Sequence, residues 1–145
     1  MNHILAIDYG LKRTGLAFAI YPILIAHPYK TVPTKDLDFY LEEYIRKNTV
    51  TTILIGLPLK MNQSNTDATS LVIAFKLKLM KKHPEINLVM YDERFSSLIA
   101  KKSMIEGNYK KSERRKKEKV DVIAATIILQ DYIRYIEIKD HQKHK

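Results

Sequence analysis

The sequence predicts an α/β fold on a five-stranded mixed sheet, three antiparallel strands followed by an αβαβ run, with helices on the sheet faces. Two observations carry this expectation. Three apolar runs within the first 32 residues are joined by links too short for a helix, which implies an antiparallel meander. Two later apolar runs alternate with segments of helical periodicity, the pattern of parallel strands joined by crossover helices.

Each element follows from local chemistry. Ile4 to Tyr9 reads as a buried strand, and Leu16 to Ile20 as a second after a short glycine-flanked connection. Ile23 to Val32 contains Pro28 and so suits a sheet edge, where a missing N–H is tolerated. Leu37, Tyr40, Leu41, Tyr44 and Ile45 fall at helical spacing, with Thr34 or Asp36 available as N-cap. Thr52 to Leu57 is a continuous apolar strand ended by Pro58; Leu71, Ala74, Phe75 and Leu79 mark a second helix ending near Pro84. Ile86 to Tyr91 makes the fifth strand, and a short helix is expected from Ser96 to about Glu106, stopped by Gly107. The last helix presents Val120, Ile123, Ala124, Ile127 and Ile128.

Right-handed crossovers place the fourth strand beside the first and the fifth beyond it, so the first strand is central. That is the RNase H-like arrangement. A flavodoxin-like sheet needs a helix between early strands, and no room for one exists between Tyr9 and Val32. A single domain is expected over residues 1–138, with 139–145 as a frayed polar tail.

The chain has 145 residues, enough to bury a real core, and a 46% hydrophobic fraction suits a globular protein. It has no cysteine, which excludes disulfide staples, cysteine zinc sites and thiol nucleophiles. No run approaches the roughly 18 apolar residues that span a bilayer. A soluble cytoplasmic protein with no membrane partner is expected. The net charge of +9 is concentrated: Lys110 to Lys119 carries seven basic and two acidic residues. Such a block suits phosphate binding, although a solvated charge run reads the same way in isolation.

Three acids stand out. Asp8 ends an apolar strand at the predicted sheet centre, where a buried carboxylate is costly unless paired or bound to metal. Asp92 and Glu93 sit at the end of the fifth strand. Asp121 precedes Ala124 and Ala125, small residues that let a helix approach the sheet. Each has a bland explanation, as a turn cap or an acid near a helix N-terminus. Three acids converging on one sheet edge have a chemical use: hard oxygen ligands suit Mg²⁺ or Mn²⁺. Two such ions about 3.5–4 Å apart activate water and stabilise the leaving oxygen of a phosphoryl displacement. Lys12 and Arg13, just after Asp8, could clamp a phosphate, or could be solvated turn residues. The glycine spacing there is not a Walker loop, which needs Gly followed by Lys and Ser or Thr. It is similar to the first phosphate loop of actin-like and sugar-kinase ATPases, but their two-domain closure needs a longer chain.

Four blocks, in order along nearly the whole chain, resemble the YqgF/RuvX family. They are Ile7-Asp8-Tyr9-Gly10-Leu11-Lys12-Arg13-Thr14-Gly15, Ile55-Gly56-Leu57-Pro58-Leu59-Lys60-Met61-Asn62, Asp92-Glu93-Arg94-Phe95-Ser96-Ser97 and Lys119-Val120-Asp121-Val122-Ile123-Ala124-Ala125, the last running on to Ile128-Leu129-Gln130. The resemblance implies an RNase H-like fold related to Holliday junction resolvases and a role in maturing the 5′ end of pre-16S ribosomal RNA. It implies that Asp8, Glu93 and Asp121 are the metal-binding, catalytic acids, with Asp92 the substitute for Glu93. Two positions depart from the family pattern: Phe18-Ala19-Ile20 stands where a Ser-Asp pair is frequent, and Gln63 where glycine is frequent. Both concern substrate contacts rather than the acids.

The expected function is a metal-dependent nuclease acting on pre-16S rRNA, in contact with pre-ribosomal particles. Lys12, Arg13, Arg94, Lys110, Lys111, Arg114, Arg115, Lys116 and Lys117 would hold backbone phosphates. Two rivals stay open: a resolvase acting on branched DNA, and a non-catalytic RNA-binding assembly factor. The oligomeric state is not legible from the sequence.

Overall fold

The computed structural model describes residues 1–57, 66–92 and 114–143. Its strands are β1 (Asn2–Asp8), β2 (Arg13–Ile20), β3 (Ile23–Pro33), β4 (Thr49–Leu57) and β5 (Asn87–Asp92). Its helices are α1 (Leu37–Lys47), α2 (Thr66–Lys82) and α3 (Arg114–Lys143), with a 3-10 turn at Thr34–Asp36 leading into α1.

The sheet order is β3-β2-β1-β4-β5. β1 pairs antiparallel with β2 and β2 with β3, while β4 lies parallel to both β1 and β5. The expected meander, the central first strand and the edge position of the proline-bearing third strand are all present. β1 is covered on both faces, which is why its Ile4-Leu5-Ala6-Ile7 run is apolar without alternation. On one face Leu5, Ile7, Leu16, Ile53 and Ile55 pack against Leu37, Leu41 and Tyr44 of α1 and Val72 and Leu79 of α2. On the other, Ile4, Ala6, Ala17, Ala19 and Leu54 pack against Ala124, Ala125, Ile128, Leu129 and Ile133 of α3. Alanines on both partners bring α3 close to β1 and β2.

Several boundaries differ from expectation: β2 and β4, for example, each begin three residues early, at Arg13 and Thr49. β1 stops at Asp8, one residue short, ahead of the bend at Leu11 and Lys12. Asp36 holds the N-cap position of α1 but makes no side-chain cap hydrogen bond, and Thr34 uses its hydroxyl on the β1–β2 turn instead. α3 continues to Lys143, into the segment expected as a polar tail. The helix expected from Ser96 to Glu106 lies outside the described residues.

Between Leu16↔Lys30 and Ala17↔Pro28 the β2–β3 register shifts, leaving Tyr29 as the extra residue of a β-bulge. Proline removes a ladder donor at that point, and an edge strand absorbs the irregularity. α1 is tied to α2 by Lys78 to Asp38 at 2.6 Å, and to the residue that follows α2 by His83 Nε2 to the Glu42 carboxylate at 2.9 Å.

Candidate active site at the carboxyl edge of the sheet

β1, β4 and β5 run in the same direction, so their carboxyl ends share one edge. Asp8 is the last residue of β1 and is only 8% exposed. It aligns with Gly15 on β2 and Gly56 on β4, both buried. Residues in register share a face, so Asp8 has no side chain beside it on either neighbouring strand. Glycine inside a strand often marks a place where something approaches closely. The face is set by alternation: Ala6 packs under α3, and Asp8, two residues on, points to the same side.

Thr34 braces the connection from Asp8 to β2. The Thr34 hydroxyl donates to the Gly10 carbonyl at 2.7 Å and accepts from the hydroxyl of buried Thr14 at 2.9 Å. The Thr34 N–H donates to the Lys12 carbonyl at 2.9 Å. A Cβ on Gly10 would run into the Arg13 carbonyl oxygen, so only glycine fits this close turn. Exposed Lys12 is thereby carried on this braced turn, and half-buried Arg13 opens β2 directly after it. The sequence offered Thr34 only as a possible N-cap, not as a brace of this turn: it lies 24 residues from Gly10 and its contact exists only once β3 returns alongside β2.

Asp92 also reaches this edge, as the last residue of β5 and the register partner of Leu57. Two strand spacings separate β5 from β1, roughly 10 Å. Its face differs, however. Val89 and Tyr91 belong to the α3 side and Leu88 and Met90 to the α1/α2 side, so Asp92 alternates away from Asp8. Glu93 and Arg94 lie outside the described residues, as do Lys110 and Lys111. Arg114, Arg115, Lys116, Lys117 and Asp121 are described as backbone positions of α3 only. Among the described residues no three His, Asp or Glu side chains form a group able to hold a metal ion. Within that limit the site consists of Asp8, its two glycine neighbours and the basic turn.

A solved structure of Thermus thermophilus RuvC in complex with a Holliday junction substrate matches this fold. Its TM-score is 0.57, at 14% identity, over 92% of this chain and 96% of that one. A second Thermus thermophilus RuvC structure gives 0.53 at 11% identity. The fold is therefore RNase H-like, of the RuvC kind, with an acid at the end of its central strand. The RuvX family model, described as Holliday junction resolvase, matches residues 2–135, and the chain belongs to that family. Relatives provisionally named pre-16S rRNA nucleases include those of Phocaeicola vulgatus and Bacteroides thetaiotaomicron. They are 42% and 43% identical over 92% of this chain and 96% of each relative. The Porphyromonas gingivalis relative is 39% identical over the same shares. No helix among the described residues is long and apolar enough to cross a membrane.

Proposed function

We propose that this chain is a divalent-metal-dependent nuclease that trims the 5′ end of pre-16S rRNA during ribosome assembly. The observation that carries the reading is Asp8, buried at the carboxyl end of the central strand between Gly15 and Gly56. A carboxylate buried at a strand end, with only glycines as its register neighbours, suits a metal ligand better than a packed core residue. Its donor set is oxygen only, which fits Mg²⁺ or Mn²⁺. Asp8, Glu93 and Asp121 are the proposed ligands. The alternation of β5 favours Glu93 over Asp92, because Asp92 belongs to the face opposite Asp8. Position 121 lies one helical turn before buried Ala124 and Ala125, in phase with the stripe that meets the sheet.

When bound, the metal supplies an acidified water and charge neutralisation for in-line displacement at phosphorus. The chain's own residues do the rest. Asp8 would hold the metal at the sheet edge, and Lys12 and Arg13 draw the substrate phosphates onto the Thr34-braced turn. Residues of Lys110–Lys117 hold more distant phosphates. Four of these, Arg114 to Lys117, open α3, where the helix dipole disfavours positive charge. A bound anion relieves that cost.

The test is cleavage of precursor rRNA and, separately, a four-way DNA junction by purified protein with Mg²⁺ or Mn²⁺. Asp8→Asn and Glu93→Gln should each lower metal-dependent cleavage by about 100-fold or more, since even the partners of ligands are worth 10- to 100-fold. Circular dichroism should be unchanged. Full activity in folded Asp8→Asn overturns the site. Loss with Asp92→Asn but not Glu93→Gln reassigns the second ligand. Products from the junction alone favour the resolvase reading.

A further inference from the structure

A ladder of aromatic rings lies on the α1 side of the sheet, beside edge strand β3 and on the face opposite Asp8. Phe18 is its centre. His3 and His27 stack on either side of it, with centroids at 6.3 and 5.4 Å and planes inclined by 25° and 29°. Tyr29 meets Phe18 edge-on at 6.1 Å and Tyr44 at 5.4 Å. The Lys30 ammonium stands 4.9 Å from the Tyr29 ring centroid and 4.6 Å from that of Tyr40. The bulge explains the arrangement. His27 and Lys30 align with Phe18 and Leu16, which share this face, and the extra residue turns Tyr29 onto it as well. His27 is exposed, Tyr29 is 42% exposed and Phe18 is half-buried, so α1 leaves these rings open.

We propose that this ladder is a platform for the unpaired bases of a single-stranded nucleic acid, flanking the carboxyl-edge site. Aromatic faces accept any base by stacking, and an ammonium among them adds both cation–π and phosphate attraction. The chain's net charge of +9 has the sign for that partner. Strand addition by a protein is disfavoured, because Pro28 lacks an N–H and the bulge interrupts the edge. Lys30 pairs with Leu16, next to Gly15, the register partner of Asp8, so the platform begins two strand spacings, roughly 10 Å, from the β1 backbone at the acid and on the other face of the sheet. A single strand stacked on the rings leaves it toward the Lys12-Arg13 turn. This inference rests on the nuclease reading and narrows its substrate to nucleic acid with an unpaired flank.

The experiment measures wild-type chain in EDTA, where metal-dependent cleavage is silent, binding a fluorescein-labelled unpaired decanucleotide RNA and a hairpin duplex. Tyr29→Ala and His27→Ala should each weaken single-strand binding by roughly 5- to 100-fold, the worth of one stacked base. Duplex binding should change much less. Tyr29→Phe should restore the affinity, because the ring is what stacks. Thermal melts check folding, and His27→Ala, at an exposed position, keeps the test open if Tyr29→Ala is unstable. Unchanged single-strand affinity in both variants, equal losses for duplex and single strand, or no wild-type binding to the decamer overturns the platform. So does a dimer in sedimentation that both variants dissolve, which would make the face a contact between copies. Wild-type cleavage of precursor rRNA with Mg²⁺, run in parallel, decides the nuclease reading independently.

Discussion

At the residue scale the site depends on small groups that restrain larger ones. Thr34 closes the turn carrying Lys12 and Arg13 through two carbonyls and the Thr14 hydroxyl. Thr34→Val keeps the shape but leaves the Gly10 carbonyl and buried Thr14 short of a partner. It should cost about 1–2 kcal/mol in urea titrations and loosen phosphate contacts at the turn. His3 gives a pH prediction. Burial, and secondarily the N-terminal ammonium, holds its pKa below the ordinary 6.5. The folded chain therefore binds this proton less readily than the unfolded chain. The stability from neutral His3 is present above pH 6.5 and is lost as pH falls through the lowered folded value. Wild type should lose melting temperature over that interval more steeply than His3→Gln; parallel curves would show that His3 is not the group responsible. Asp8 was legible in the sequence because an acid ending an apolar strand violates the pattern around it. Its glycine neighbours were visible as letters, but their alignment with Asp8 was not.

Elements were read from period and punctuation, and most were found. β3 was placed at the edge because of Pro28, and it is there. What proline did to the register was not predictable, since a bulge depends on which partner residues must stay in line. The N-terminus of α3 shows a similar limit. The basic block was read as a lead into the helix, yet Arg114 to Lys117 already belong to it. Replacing Lys110, Lys111 and Arg114 to Lys117 with neutral residues should weaken nucleic-acid binding uniformly across sequences. If about four of them touch phosphates, the slope of log affinity against log salt should become shallower by about 3 on single strands, at roughly 0.7 per contact. An unchanged slope would return the block to a solvated run.

For the whole molecule, the sheet order makes one edge the meeting point of β1, β4 and β5 and puts the ring ladder on the face opposite Asp8. The cellular prediction belongs at this scale. Cells depleted of the protein should accumulate 16S precursors with unprocessed 5′ ends, which wild type but not Asp8→Asn corrects on sequencing of the ends. Rescue by Asp8→Asn would favour the non-catalytic assembly factor, and normal ends with defective junction resolution would favour the resolvase. By itself the sequence determined the strand order, the central strand and the candidate acids. Connection length and apolar run length are local quantities, and they limit the topologies available. Only the tertiary structure decided which faces Asp8 and Asp92 use, which glycines flank Asp8, and that residues 3, 18, 27, 29 and 44 form one ladder. The physical reason is parity: one bulge or one residue of register moves a side chain to the opposite face, and no local preference records that shift.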